Sequence, residues 1–298
     1  MRSFEGVHGP VTTPFRADGE VDRAAFEKNV GTHLSQGLHG IVATGSTGEA
    51  PLLDEHEREQ LVCWARKVVP SNKLLIAGIG AESTRVTIER AKRVAQRGAD
   101  AALVVAPHYF GAAVTEEGLR AHYSRLADAS PIPILLYNIP KYMHFRLSGA
   151  LVSELARHGN IVGIKDSSGA QDSMQEYLAA QSASFTVLTG NGQFFRTALG
   201  MGARGGILAV GLFAGELTMQ VWDAFKRGDG ASADAAQALL TPLAKTIVGE
   251  LGIAGVKTAL DAVGLAGGAP RAPLLPLPRA DQERVRQLLR DAELAVAA

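Results

Sequence analysis

Short apolar runs alternate with segments of helical periodicity along the first 228 residues of the chain. The runs are apolar on both faces, which is typical of strands in a parallel sheet that is covered on both sides. They occupy residues 7–15, 40–44, 74–79, 101–105, 132–137, 161–165, 185–189 and 206–210. Eight strand–helix units of about 25 to 30 residues predict an α/β fold, a closed (β/α)8 TIM barrel, rather than an open doubly wound sheet.

The chain beyond the eighth unit has a different pattern. Residues 229–298 contain three further helical segments, which are broken at Gly249-Glu250 and by the proline-rich stretch 270–278. We therefore divide the chain into a barrel, residues 1–228, and a C-terminal helical extension, residues 229–298. We expect the extension to pack on the barrel or to contribute subunit contacts.

The composition of the chain limits which kinds of molecule the protein is expected to bind. The 298 residues include 30 basic and 30 acidic side chains, so neither nucleic acid nor an anionic membrane is expected to bind. The single cysteine, Cys63, excludes an intrachain disulfide and a cysteine-rich metal site. No apolar run approaches the ~20 residues of a membrane span, and the first residues lack the apolar run of a signal peptide. We expect a cytoplasmic protein.

The sixth strand ends in a lysine. Residues 161–164 are apolar or small, Lys165 follows directly, and a polar, glycine-ended turn comes next. A lysine in apolar surroundings loses its proton more readily than a surface lysine, and a neutral amine attacks carbonyl carbons to form a Schiff base. Taken alone, the stretch is interpreted more simply as a solvated lysine at a strand end.

Other strand ends supply groups that Schiff-base chemistry needs, and in a (β/α)8 barrel these ends share one rim. Strand two runs into the loop 45–49, Gly-Ser-Thr-Gly-Glu, whose glycines and hydroxyl groups suit a carboxylate. Tyr137 ends strand five, where a phenol can move protons on and off a carbinolamine. For Tyr137, Tyr109 and His108, packing at the rim is the simpler alternative.

Motifs for metals and dinucleotides are missing. The eight histidines form no close-spaced cluster with carboxylates, so no metal site is expected. No Gly-x-Gly-x-x-Gly motif follows a strand, as a dinucleotide site would require. We therefore expect a reaction that needs no cofactor beyond a covalent lysine imine.

Four motifs together resemble the dihydrodipicolinate synthase / N-acetylneuraminate lyase family of class I, Schiff-base aldolases. They are Gly-Ser-Thr-Gly-Glu at 45–49, Pro-His-Tyr at 107–109, Tyr-Asn-Ile-Pro at 137–140 and Gly-Ile-Lys-Asp at 163–166. Within that family the chain looks most similar to 4-hydroxy-2-oxoglutarate aldolase. The resemblance implies a (β/α)8 barrel, a homotetramer or dimer, and pyruvate as substrate or product.

The resemblance also implies catalytic roles. Lys165 would attack the 2-oxo carbon, and Tyr137 would shuttle the proton. Ser46 and Tyr109 would complete a relay to solvent, with Tyr109 reaching in from a neighbouring subunit.

The implied substrate pocket has two parts. The backbone amides of Ser46 and Thr47 would hold the carboxylate of pyruvate, and Gly190 and Ile207 would line this part through their backbones. Ser167 would contact the distal part of a longer oxo acid.

One position departs from the lysine-biosynthetic synthases of the family. These carry an arginine two residues after the proline of the Tyr-Asn-x-Pro motif, where it grips the carboxylate of the aldehyde, whereas this chain has Tyr142. The sequence leaves open the roles of Lys141, His144 and Arg146 close by. We therefore predict an aldolase acting on 4-hydroxy-2-oxoglutarate or a 2-keto-3-deoxy acid. The alternatives are dihydrodipicolinate synthase, a 2-keto-3-deoxy acid dehydratase, and a catalytically silent barrel that binds a 2-oxo acid.

Overall fold

Eight parallel strands form a closed barrel in the computed structural model, which describes residues 3–296. The strands are β1 (Gly6–Pro10), β2 (Gly40–Ala43), β3 (Leu74–Gly78), β4 (Ala101–Val105), β5 (Ile134–Asn138), β6 (Ile161–Asp166), β7 (Thr186–Thr189) and β8 (Gly205–Ile207). Each strand pairs with the next in chain order, and β8 closes the barrel against β1. The predicted (β/α)8 architecture is confirmed.

Helices follow the strands around the outside of the barrel. They are α1 (Arg23–Ser35), α2 (Glu55–Val68), α3 (Thr84–Gln96), α4 (Glu116–Ala129), α5 (Pro140–Met143), α6 (Gly149–Leu155), α7 (Gln171–Leu178), α8 (Phe195–Met201) and α9 (Gly215–Lys226). The start of α2 is fixed by a reciprocal cap. The Asp54 carboxylate accepts from the Glu57 amide at 2.8 Å, and the Glu57 carboxylate accepts from the Asp54 amide at 2.9 Å.

β1 and β8 end three or more residues earlier than predicted, and the helix α5 was not expected. β1 ends at Pro10 rather than near residue 15, and β8 ends at Ile207 rather than residue 210. The apolar residues after β8 form a buried 3₁₀ turn, Ala209–Leu212, which carries the same hydrophobic pattern as a buried strand. The four-residue helix α5 begins at a proline, the residue that suits a first helical position.

The C-terminal part of the chain packs against the barrel. It comprises α10 (Gly230–Leu243), a π-helical segment (Ala244–Glu250), α11 (Gly252–Ala262) and α12 (Arg279–Asp291). The side chain of Asn29 on α1 donates to the Ala266 carbonyl at 2.7 Å and accepts from the Ala266 amide at 3.1 Å. This pair ties the segment after α11 to the barrel. The division of the chain after residue 228 stays a prediction.

Between residues 3 and 296, no helix is both long enough and apolar enough to cross a membrane.

Candidate active site

Lys165 and Tyr137 meet because their strands hold them in register. The β5–β6 pairing sets Tyr137 opposite Lys165, and side chains that are partners in neighbouring strands point to the same face of the sheet. The Lys165 Nζ atom lies 4.2 Å from the centroid of the Tyr137 ring, and both side chains are buried. The structure therefore brings together the predicted nucleophile and the predicted proton shuttle.

Gly190 and Ser167 border the Lys165 side chain. A Cβ atom added at Gly190 would lie 2.7 Å from the Lys165 Cε atom and 1.9 Å from the Ser167 Oγ atom. The Oγ atom of Ser167 is buried, and no hydrogen-bond partner for it is found within residues 3–296. Ser167 thus presents an unused hydroxyl group beside the lysine.

Asp166, to which the sequence reasoning gave no role, anchors the backbone next to Lys165. Its carboxylate accepts from the Asn138 side-chain amide at 2.8 Å, and from the Ser168 amide and hydroxyl at 3.0 and 2.7 Å. Burial raises the pKa of Asp166, and these hydrogen bonds oppose that rise. The sequence does contain a signal for this contact, because successive side chains of a strand point to opposite faces of the sheet. Asp166 and Asn138 are partners in β6 and β5, on the opposite face from Lys165.

The loop 45–49 after β2 is held by hydrogen bonds within its own backbone and from the segment that follows β1. The Gly48 amide donates to the Gly45 carbonyl at 3.0 Å, and the Glu49 amide donates to the Ser46 carbonyl at 3.1 Å. From outside the loop, the buried Thr13 hydroxyl donates to the Gly48 carbonyl at 2.7 Å. These hydrogen bonds fix the shape of the loop.

Two amides of this loop are free to bind a ligand. In the part of the chain that the structure describes, the backbone N–H groups of Ser46 and Thr47 donate to no acceptor. Successive unpaired amides at a turn form a concave donor site that favours an anion. Ser46 lines the same cavity as Tyr137.

That cavity has a volume of about 640 Å³. Much of its wall is apolar and is contributed by Leu52, Leu53, Ile139, Ile253, Pro273 and Leu274. Two arginines line it from α2 and α3. Arg90 is engaged by the Glu55 carboxylate at 2.5 Å, whereas Arg58 contacts the Ala50 carbonyl, and burial lowers the pKa of Arg58 to about 10.

The segment around α5 places a phenol, and none of its basic residues, on the cavity wall. Tyr142 lines the cavity. Lys141 donates to the Gly249 carbonyl at 2.9 Å, and Arg146 pairs with the Glu176 carboxylate at 2.9 Å. His144 is exposed and ends α5 in a left-handed conformation. Lys141, His144 and Arg146 all lie outside the cavity lining.

Of the eight predicted site residues, Ser46 and Tyr137 line this cavity, and the other six are outside its lining: Thr47, Tyr109, Lys165, Ser167, Gly190 and Ile207. The Tyr109 side chain is 80% exposed and packs edge-on against the Phe110 ring at 5.3 Å. Ile207 is buried in β8, where it pairs with His8 of β1. Tyr109 therefore lies on the outer surface of the rim in a single chain.

Metal ligands are not grouped in the described part of the chain. Between residues 3 and 296, no set of three or more His, Cys, Asp or Glu side chains is arranged to hold a metal ion.

Comparisons with known proteins cover almost the whole chain. The model of the dihydrodipicolinate synthetase family matches residues 3–292. A 4-hydroxy-tetrahydrodipicolinate synthase from Thermodesulfovibrio yellowstonii is 35% identical over 291 residues, which are 98% of this chain and 99% of that protein.

Solved structures give the same result. The dihydrodipicolinate synthase from Acinetobacter baumannii, complexed with pyruvate, has a TM-score of 0.93 at 34% identity, with 98% of this chain and 100% of that chain covered. A monomeric dihydrodipicolinate synthase variant has a TM-score of 0.92 at 29% identity, with 98% and 97% covered.

Proposed function

The chain belongs to the dihydrodipicolinate synthetase family of Schiff-base lyases, and we propose that Lys165 is the lysine that forms the imine. The predicted enzyme class, a lyase that acts through a lysine imine and needs no further cofactor, is confirmed at the level of the family. The observation that carries the assignment of Lys165 is its register with Tyr137 and the 4.2 Å between the Nζ atom and the phenol ring.

The first steps follow from this geometry. The neutral Lys165 amine adds to the 2-oxo carbon of pyruvate and forms a carbinolamine. Tyr137 donates a proton to the departing hydroxyl group, so that water leaves and the protonated imine forms. The protonated imine draws electrons toward its nitrogen, so the Tyr137 phenolate left by the preceding step can take a proton from the methyl carbon, C3, and form an enamine. The enamine C3 attacks the carbonyl carbon of an aldehyde, and cleavage is the reverse, in which the C3–C4 electron pair enters the imine.

The loop 45–49 supplies the site for the carboxylate of pyruvate. The free amides of Ser46 and Thr47 donate to the carboxylate oxygens, and Ser46 lines the same cavity as Tyr137. A carboxylate held there orients the 2-oxo carbon toward Lys165. Gly190 and Ser167 border the lysine on this side.

The first candidate for the complete reaction is the one named in the relatives, 4-hydroxy-tetrahydrodipicolinate synthase. The predicted 4-hydroxy-2-oxoglutarate aldolase activity receives no support from the comparisons. Family membership also argues against the catalytically silent alternative, since Lys165 and Tyr137 are both present and adjacent.

Cleavage of a 4-hydroxy-2-oxo acid remains as a second candidate because of Tyr142. Partial burial raises the pKa of Tyr142, so this side chain offers the cavity a neutral hydroxyl group where a synthase would offer a guanidinium. Lys141 and Arg146 do not compensate, since both are engaged outside the cavity. The free hydroxyl of Ser167 provides a contact for the distal part of a longer substrate.

We propose that Tyr109 acts in a second copy of the chain. Its exposed ring lies outside the cavity of its own chain, so a role in the proton relay requires a neighbouring subunit. Sedimentation of the wild type and of Tyr109→Phe, with turnover measured at several protein concentrations, tests this assembly. If the protein sediments as a monomer and its turnover per chain does not change with protein concentration, the proposed role of Tyr109 in a second copy is wrong.

Trapping of the imine tests the core of the proposal. Incubation with pyruvate and borohydride should place one stable adduct on Lys165, which is read by peptide mass spectrometry. Lys165→Ala should abolish both adduct and turnover, whereas the exposed control Lys141→Ala should keep the adduct. An adduct on another lysine, or none, would refute the assignment.

A further inference from the structure

A buried ion pair joins the end of the loop 45–49 to the C-terminal extension. Lys257 on α11 is fully buried, and its Nζ atom lies 2.5 Å from one carboxylate oxygen of Glu49. The other oxygen of Glu49 accepts from the Arg271 backbone amide at 2.7 Å. The Lys257 ammonium also donates to the Ala269 carbonyl at 2.9 Å. Both oxygens of Glu49 are therefore held by the extension.

An aromatic ring and a second ion pair close this site from water. The centroid of the Phe15 ring lies 4.5 Å from the Lys257 Nζ atom and 4.2 Å from the Arg271 guanidinium carbon, so the ring contacts both cations. The Arg271 guanidinium pairs with the Glu57 carboxylate at 2.6 Å. In such an enclosed site, removing one partner of a charge pair leaves the other charge buried and uncompensated.

The backbone is strained at both ends of the loop. Glu49 has a φ of 58°, and Thr44, directly before the loop, has a φ of 53°; both angles are unfavourable for residues that carry a Cβ atom. Contacts outside the loop hold these conformations, since the Thr44 hydroxyl donates to the Gly78 carbonyl at 2.9 Å and Glu49 contacts Lys257. Strained conformations persist where surrounding structure over-determines them. The free amides of Ser46 and Thr47 lie between these two fixed points.

We propose that Glu49 and Lys257 are positioning residues for pyruvate capture. The ion pair fixes the end of the loop, and the loop then directs the Ser46 and Thr47 amides at the carboxylate of pyruvate. This inference rests on the proposed function, in which those amides hold that carboxylate. Its consequence is that Lys257, which lies outside the cavity lining, completes the site for the carboxylate without touching pyruvate, so that loss of the pair weakens capture before it impairs chemistry at Lys165.

The test measures the pyruvate concentration that gives half-maximal borohydride trapping, together with the amount trapped at saturation. Lys257→Met should raise the half-maximal concentration by about tenfold or more, because the loop amides lose their alignment, while trapping at saturation persists. Lys257→Arg, which keeps the charge, should recover most of that loss. The matched control is Asn29→Ala, which removes another buried tie between the extension and the barrel and leaves the loop untouched.

The outcomes separate this inference from the proposed function. An unchanged half-maximal concentration in Lys257→Met, or an equal rise in Asn29→Ala, would overturn the positioning role. If Lys257→Met does not fold, Glu49→Gln carries the same expectation, because it removes the charge and keeps an acceptor for the Arg271 amide. If neither variant folds, the pair serves folding and the proposal fails. Absence of any adduct in the wild type would instead refute the role of Lys165.

Discussion

Replacement of Gly190 by alanine should act on Lys165 through one added methyl group. The added Cβ atom would lie 1.9 Å from the Ser167 Oγ atom and 2.7 Å from the Lys165 Cε atom. The backbone of Gly190 is outside the left-handed region, so the alanine itself is not strained. Ser167 can rotate away at little cost because its hydroxyl has no partner within residues 3–296. Lys165 has less freedom, since Tyr137 lies on its other side.

The magnitude follows from the displacement. Ordinary contact begins near 3.4 Å, so the Lys165 side chain must retreat by about 0.7 Å or more. A misplacement of about 1 Å at a reacting group costs roughly 100-fold in rate. We therefore expect Gly190→Ala to lower kcat/KM about 100-fold and to slow borohydride trapping of pyruvate similarly.

Two further variants isolate this cause. Gly192→Ala is the matched control, because its added methyl group would meet Val210 and Ala244 at 2.8 and 3.0 Å, away from Lys165. This control should keep near-normal trapping even if its melting temperature falls. The double variant Gly190→Ala/Ser167→Ala removes the contact with the serine and should stay as impaired as the single variant. Normal trapping in Gly190→Ala, or full recovery in the double variant, would refute the reasoning.

Three other predictions concern proton transfer, the second substrate and acid stability. Tyr137→Phe should lower turnover about 100-fold or more while pyruvate still binds, because imine formation loses its proton donor; near-normal turnover would show that Tyr137 only lines the site. Tyr142→Arg should raise kcat/KM for condensation with aspartate semialdehyde by about 10- to 100-fold, because a charge-assisted pair replaces a neutral hydroxyl. No gain would mean that another group, such as Arg58, already holds that carboxylate, which would support the synthase. His33 is fully buried without a partner among the described residues, and burial lowers its pKa from 6.5 to about 4. The neutral form therefore stabilises the fold fully above pH 6.5, and stability is lost as the pH falls toward 4, with about 2 kcal/mol gone at pH 5. The unfolding free energy of each protein is measured by denaturation at pH 7.5 and at pH 5. The decrease between these two pH values should be about 2 kcal/mol smaller for His33→Leu than for the wild type, and equal decreases would contradict this prediction.

The barrel was predictable because the composition of each strand distinguishes it from the helices and loops. Eight runs that are apolar on both faces, each followed by a helical segment, leave few alternatives to a closed parallel sheet. The strand ends were less predictable, as the 3₁₀ turn Ala209–Leu212 shows. A buried turn and a buried strand exclude water equally well, so hydrophobicity alone does not separate them.

The site was predictable where it depends on strand register and unpredictable where it depends on distant contacts. Tyr137 and Lys165 both end strands, and the register of β5 with β6 makes them neighbours. The contact between Glu49 and Lys257 joins residues that are 208 positions apart in the chain, and no local pattern in the sequence indicates it. Each residue is unusual where it stands, Lys257 as a charged residue within an apolar helix and Glu49 as the end of a glycine loop, but neither segment identifies the other as its partner.

No single motif encodes the apolar wall of the cavity in which we propose that a second substrate binds. Leu52 follows the loop 45–49, Ile253 lies on α11, and Leu274 lies in the segment before α12, yet all three line the same cavity. Substitutions at these positions change the shape and polarity of the cavity without touching Lys165 or Tyr137. Selection can therefore alter the partner of pyruvate while the imine chemistry is kept. For the same reason, 35% identity to a named synthase is stronger support for imine chemistry than for one particular aldehyde as the second substrate.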